Sequence, residues 1–582
     1  MSKKTTKYIS FGVAIIIAFL VFNFAFGFQI LNPQNIKWLM NERHDWGTHY
    51  LGWAFYKNEP WSFPLGTINN YIWPVGTNVG FTDSIPLMAL LFKPFAAFLP
   101  QDFQYFGIWM LLCYILLAIY TVKIFSLYTT NIFYILLGVV LVTSNSVLIY
   151  RSMHPALCAH WLILASVYLY IKPAGLNNVI AINRHQGLLL LISALINPYL
   201  TLMIAGFTII LPFKHYYYDR LISIKKALIC ASLSFLSVFI SWFVLGILTF
   251  GNNSSVQMSG SYGLNALNLN SLYNSSNFSS FFPEQPWFPL QYEGFMYLGL
   301  GMMVICLFST AYLIYSGSLK SLIKNNKYLL PLLILSVTLS LFAITNKITL
   351  NKNELLIVPL PTFIVKLGEV FRASARFFWV SYYLIFLLFT VIFIKSKIPA
   401  KFKVPLFFSL VALQLYDIKP IYNLRHLESG TYNSPLEEEK WSTLLPGFNK
   451  ILVYPPFECH LINSKDYQDL GYVAVKNNVA ISTGYTARTN VRSNDKYAEW
   501  LERAIASNFF YDDELIVTAP KYLKSFTNGL KNGKLNIDYI DGYFILYTKK
   551  NDRQFFSQKP EIAVMIDSVR AADSAKAIKT VP

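Results

Sequence analysis

The sequence predicts a polytopic α-helical membrane domain followed by a small extracytoplasmic α/β domain, and three observations lead there. Apolar residues make up 54% of the 582 positions and charged ones only 13%, a balance outside the range of soluble globular domains. Apolar segments of roughly 20 residues, enough to cross a bilayer, recur along the first two thirds of the chain. From Lys450 the pattern changes to short apolar runs separated by Asn, Gly and Asp turns, which is the signature of strands in a water-facing domain.

The N-terminus, "MSKKTTKYIS", runs into an apolar stretch to Ile30 with no small-residue cleavage site, so it reads as a retained first span and not as a removed signal. Further spans are expected at 103–128, 131–150, 154–171, 226–250, 293–316, 328–345, 376–395 and 403–417. The stretch 187–212 is interrupted by Asn197-Pro198 and fits either one kinked span or a short hairpin, for a total of about 10–12 crossings. Basic residues set the orientation. Lys3, Lys4 and Lys7, then Lys172 and Arg184, Lys214, Arg220, Lys225 and Lys226, Lys320, Lys324 and Lys327, and Lys395, Lys397, Lys401 and Lys403 lie in connections nearly free of acid, which the positive-inside rule makes cytoplasmic. The net charge of +18 is explained by this orientation and calls for no nucleic-acid partner. Four of the five cysteines fall in apolar runs, where they pack; they suggest neither a disulfide framework nor a thiolate metal cage.

On this topology 31–102, 150–154, 251–292, 346–375 and everything after about 417 lie outside. Residues 1–420 form the transmembrane domain with its long first outer loop, and 421–582 the soluble one. In the latter, "KILVYPP", "VAISTGY", "ELIVTAP" and "YFILYTKK" read as strands and "DKYAEWLERAIASNFF" as an amphipathic helix. No glycine-rich nucleotide loop follows a strand there, so a nucleotide-sugar donor is not indicated.

The loop 31–102 is far longer than two spans need and too aromatic for disorder. It carries "NERHDWGTHYLGWAFY", with His44, Asp45 and His49, and then Asp83 just before the short apolar stretch 85–99, which suits the membrane interface. An acid near the end of a span, flanked by Trp46 and Trp53, can act as a general base. The same residues also fit a helix cap at Asp45 with the tryptophans as interface anchors. His44 and His49 would join Asp45 around a divalent metal or simply hydrogen-bond; no motif requires a cofactor. His154 in "YRSMHPAL" sits at the turn into a span, and Glu293 in "QYEGFMYLGLG" is an acid at the border of another, placed to pair with an arginine or touch a ligand.

The segment "GEVFRASARFFW" sets Arg372 and Arg376 four residues apart, with Lys366 nearby, on the side where basic residues are disfavoured. As i and i+4 on one helix they would share a face at its N-terminus, where backbone N–H groups also favour an anion. Planar guanidinium groups suit phosphate oxygens. The alternative is that they reach lipid headgroups or pair with Glu369 and Glu293.

"HDWGTHYLGW", "GTNVGFTDSIP", "QYEGFMYLGLG" and "FRASARFFW", in this order around some ten spans, resemble a GT-C type membrane glycosyltransferase. Within that class they are similar to an uncharacterised bacterial family found among surface-polysaccharide genes. The resemblance spans roughly residues 30–400. It implies a multi-pass protein of the bacterial cytoplasmic membrane with its C-terminal domain periplasmic or extracellular. A polyprenyl-phosphate-linked sugar would be the donor and a cell-envelope glycan or lipid the acceptor. Asp45 would be the base, Asp83 a second acid, and Arg372 or Arg376 the holder of the departing phosphate, with inversion at the anomeric carbon. The wide separation of Asp45 and Asp83 departs from the paired acids common in that class, which leaves the choice of base open. A transporter or flippase, or a polymerase, of lipid-linked polysaccharide is the alternative.

Overall fold

The computed structural model describes residues 3–41, 46–248, 262–424 and 429–548. His44 and Asp45 therefore lie outside the described residues, as does the C-terminal tail. The chain divides into two compact units. One comprises Met1–Pro33, Tyr105–Trp242 and Val256–Ser429, the other Gln34–Gln104, Phe243–Ser255 and Gly430–Pro582.

The first unit is helical. Among the described residues, six helices are long and apolar enough to cross a membrane: Thr6–Phe26, Phe106–Phe125, Ile132–Tyr150, Ile224–Leu245, Lys327–Ile344 and Ser374–Lys395. A seventh is added if Leu300–Tyr315 and Ser318–Asn325, bent by 96°, count together. The chain is a multi-pass membrane protein. The count falls below the expected ten to twelve because several apolar stretches fold as shorter or less uniformly apolar helices, including Pro155–Ile171, Val179–Ala194 and Ala400–Asp417.

The broken stretch at Asn197-Pro198 resolves into two helices, Val179–Ala194 and Pro198–Tyr217, packed against each other as a hairpin. The cause is local. Asn197 accepts from Tyr199 N at 3.0 Å, satisfying an orphan donor of the new helix, and Pro198 stands where its missing N–H is not needed.

After the Lys327–Ile344 span the backbone forms an antiparallel hairpin, Lys347–Leu350 with Asn353–Ile357, then the helix Thr362–Val370. Phe371 (φ −117°, ψ 59°) and Ala373 (φ −84°, ψ 57°) leave the helical region before a 3-10 turn, Ser374–Phe378, feeds the helix Trp379–Lys395. Arg372 and Arg376 thus do not share one helix face. Arg372 lies in the break and Arg376 in the 3-10 turn, because the helix expected from the i, i+4 spacing is interrupted between them.

The second unit contains a five-stranded mixed sheet. Ala480–Ile481, Lys450–Tyr454 and Glu514–Thr518 run parallel, and Tyr543–Thr548 and Leu535–Ile540 continue it antiparallel. Leu452, Ile516 and Phe544 on one face pack against Leu501 and Ile505 of the amphipathic helix Val491–Ala506. The strand Leu535–Ile540 and the helix Asp466–Lys476 carry no counterpart in the sequence-based expectation.

The outer loop belongs to this same unit. Asn70–Trp73 lies along the edge of the sheet, with Trp73 N donating to Ile481 O at 2.8 Å and Ile481 N to Asn70 O at 2.9 Å. Tyr50 and Tyr472, from loop and domain, both donate to Asp102, at 3.2 and 3.3 Å. Trp46 and Trp53 are 1% and 0% exposed. Trp46 meets Trp38 edge-on at 5.4 Å and Trp53 donates to Phe103 O at 2.9 Å, so they are core residues and not interface anchors. The expected interfacial stretch does keep apolar residues bare: Leu91, Phe95 and Phe98 are exposed.

Candidate functional site

Three charged side chains that are far apart in sequence meet inside the first unit. Arg151 follows the short helix Ser146–Tyr150, whose start is fixed by Asn145 Oδ1 accepting from Leu148 N at 2.9 Å. Glu293 sits in the 3-10 turn Gln291–Gly294, ahead of the helix Leu300–Tyr315. Arg376 comes from the turn after the break.

Arg376 grips Glu293 through two bonds, Nε to Oε2 at 3.0 Å and Nη2 to Oε1 at 2.8 Å. Arg151, fully buried, pairs with the same Oε2 through Nη1 and reaches Tyr292 O through Nη2 at 3.4 Å. Its guanidinium lies 4.6 Å from the centre of the Tyr150 ring. Burial alone would raise the Glu293 carboxyl, but Arg151 and then Arg376, with His154 adding to them, hold it well below the usual carboxylate range. One carboxylate is thus shared by two guanidiniums.

Tyr199, at the start of its helix, ties the arginine segment down. Its hydroxyl accepts from Ala373 N at 3.1 Å, its ring lies 4.7 Å from the Arg376 guanidinium, and Phe371 and Phe377 pack on it at 5.3 and 5.8 Å. Arg372 and Arg376 both act electrostatically on this phenol. Arg372 and Lys366 are exposed, whereas Glu369 is buried. Deeper in the unit, His160 Nδ1 and the Tyr383 hydroxyl are bonded at 2.8 Å, Asn145 Nδ2 donates to that hydroxyl at 3.3 Å, and the His160 ring lies 4.3 Å from Trp379.

Sequence reasoning named Glu293, His154, Arg372 and Arg376 but missed Arg151 and Tyr199. Arg151 had a readable signal, since it is a basic residue in the connection 150–154, expected to lie outside, where the positive-inside rule disfavours it. Tyr199 had none.

The remaining candidates lie in the second unit. His49 is buried and donates from Nδ1 to Thr82 O at 3.1 Å, while Ser84 Oγ donates to His49 O at 2.7 Å. Asp83, between them in sequence, has φ 53°, a left-handed backbone conformation that Asp tolerates better than most residues. The structure therefore brings His49 to the Asp83 turn. Among the described residues no group of three or more His, Cys, Asp or Glu side chains is arranged to hold a metal ion.

The segment carrying His44 and Asp45 is flanked by described contacts. Gln468 Nε2 donates to Met40 O, and Lys465 Nζ to Asn41 O at 3.0 Å. A Cβ on Gly47 would stand 2.1 Å from Gln468 Oε1. The helix Asp466–Lys476 thus touches the loop on both sides of 42–45.

Residues 15–419 match the family described as Domain of unknown function (DUF6311), and 440–548 match the DUF6311 C-terminal domain. The chain belongs to the DUF6311 family. The charged triad, Tyr199 and Asp83 all fall within the first of the matched segments, and the helix that touches both sides of 42–45 falls within the second. No curated protein matches this DUF6311 chain. Among solved structures it is similar to the archaeal oligosaccharyltransferase AglB from Archaeoglobus fulgidus, solved with an inhibitory peptide and a dolichol-phosphate. The two are 13% identical, with 94% of this chain and 75% of that one covered and a TM-score of 0.33.

Proposed function

We propose that this DUF6311 protein is an inverting GT-C type glycosyltransferase. It moves a sugar from a polyprenyl-phosphate donor to a cell-envelope glycan or lipid acceptor on the outer face of the bacterial cytoplasmic membrane. The observation that carries the reading is the cluster Arg151–Glu293–Arg376, two guanidiniums sharing one carboxylate, with the exposed Arg372 acting on the same Tyr199 phenol as Arg376. Guanidiniums gathered in this way are the kind of positive charge that a departing phosphate requires.

The roles divide by geometry. The fork of Arg376 is filled by Glu293, so Arg376 holds the loop, and Arg372, exposed in the break, meets the phosphate, with Lys366 contributing charge. His154, near the triad, and Glu293 line the same cluster. Asp45, supported by its sequence context alone, takes the proton from the acceptor hydroxyl, with Asp83 as the second acid and His44 and His49 nearby in the chain. Attack opposite the phosphate inverts the anomeric carbon.

The test is transfer of labelled sugar from a polyprenyl-phosphate donor by the full chain in nanodiscs, using its own membrane glycolipid fraction as acceptor. Asp45→Asn should abolish transfer. Full turnover by Asp45→Asn and Asp83→Asn alike, or donor translocation without any glycosidic product, would sink the assignment.

A further inference from the structure

The strand Asn353–Ile357 is exposed along its whole length. Leu355, Leu356 and Ile357 are 54%, 55% and 55% exposed, and Phe363 in the helix that follows is 71% exposed. Successive strand side chains point to opposite faces, so both faces of this strand are bare. Among the described residues it pairs with Lys347–Leu350, whose Thr349 O accepts from Leu269 N at 3.0 Å, so the hairpin is anchored on that side while the apolar side chains of Asn353–Ile357 stay exposed. An exposed apolar patch of this kind marks an interaction surface.

Its position says what covers it. The hairpin begins at Lys347, three residues after the Lys327–Ile344 span ends. That span itself turns Leu330, Ile334, Val337 and Leu341 outward, each about half exposed or more, which is the lipid-facing stripe of a membrane helix. The bare strand belongs to the hairpin that follows this stripe directly in the chain. Basic residues border it: Lys352 and Lys366 are exposed, and Lys347 pairs with Glu354 at 2.6 Å and lies 4.4 Å from the Phe288 ring. Lysines around an apolar surface suit the headgroup layer. The unpaired strand edge cannot enter hydrocarbon, where nothing would satisfy its N–H and C=O groups, so the element lies in the interface and does not cross.

We propose that the hairpin 347–357 and the helix Thr362–Val370 form a lipid-docking surface that lies in the interface of the outer leaflet. Its apolar side chains reach the acyl boundary, and Lys352 meets phosphate headgroups. The occupant is bilayer lipid. The chain from this surface leads through the break directly to Arg372, so the arginine segment is held at headgroup depth.

The experiment is site-directed spin labelling of the full chain in nanodiscs of mixed phosphatidylglycerol and phosphatidylcholine, with Cys230, Cys306 and Cys459 replaced. Labels at Leu356→Cys, at Leu333→Cys on the span and at Arg503→Cys in the soluble domain are compared for collision with oxygen and with a water-soluble nickel chelate. The label at 356 should favour oxygen severalfold, as at 333, with the reverse at 503. Nickel-dominated collisions at 356 overturn the proposal. So does protection from both agents, which would mean a protein surface or second copy covers the hairpin. No substrate is present, so the outcome is independent of whether the protein transfers sugar.

Discussion

Arg376 and Glu293 face each other fork to fork, with N–O distances of 3.0 and 2.8 Å across 83 residues of sequence. Arg151 closes on the same carboxylate from the other side. Replacing Glu293 by Gln leaves two guanidiniums facing each other, one of them fully buried, and removal of one partner of a buried pair costs about 3–5 kcal/mol. Glu293→Gln is expected to lower the thermal unfolding midpoint in detergent by several degrees, and Arg151→Met in the same background to recover part of the loss.

Arg372 and Arg376 should separate kinetically. Under the proposed mechanism Arg372→Ala removes a charge that would meet the phosphate, whereas Arg376 is the residue seen in the Glu293 fork. Arg372→Ala is expected to raise KM for the donor about tenfold or more, the scale of a charged hydrogen bond, with a smaller drop in unfolding midpoint than Arg376→Ala gives. Arg376→Ala should instead lower stability and activity together. Equal effects of both variants on stability would remove the division of roles.

Gly47 and Gln468 form a testable couple. A methyl group at Gly47 would meet the Gln468 side chain at 2.1 Å and drive its amide from Met40 O, leaving buried polar groups unpaired at about 1–3 kcal/mol. Gly47→Ala and Gln468→Ala should each destabilise, and the double variant should lose much less than the sum, because the clash disappears with the amide. Additive losses in chemical unfolding would refute the coupling.

The pH dependence has two opposing parts. Burial pushes Glu514 up from 4.5 to about 7, with Lys450 3.8 Å away only partly offsetting it. Between those values the folded chain binds more protons than the unfolded one, so stability falls as pH rises through the window. Glu293 has the opposite sign. Its carboxyl is depressed, so its contribution is present above the unfolded value of 4.5 and is lost as pH falls below it. Unfolding midpoints measured from about pH 4 to 8 should pass through a maximum near the acidic end. Glu514→Gln should flatten the alkaline decline, and an unchanged slope would show that Glu514 titrates normally.

Much of the fold was legible because its signals are local. Runs of apolar residues marked the six long apolar helices. Asn197-Pro198 marked a break, although only packing chose a hairpin over a kink. Four of the five strands of the soluble sheet were readable as short apolar runs. Leu535–Ile540 was missed because its "LNIDYI" mixes Asn and Asp into the run, and those polar residues disguise a strand in which even Asp538 is buried.

By itself, the sequence determined that this chain lives in a membrane, that a mixed α/β module follows, and that Glu293, Arg372 and Arg376 are charges out of keeping with their surroundings. Tertiary structure alone decided that Arg151 and Arg376 converge on Glu293, that Ala373 breaks the helix between the two later arginines, and that residues 34–104 pack with the C-terminal module. The reason is the range of the forces. Hydropathy and helix periodicity are written within a few turns of chain. Charge pairing across 142 residues, or a side chain reaching a backbone carbonyl 428 residues away, exists only after packing has brought those groups together and removed the water between them.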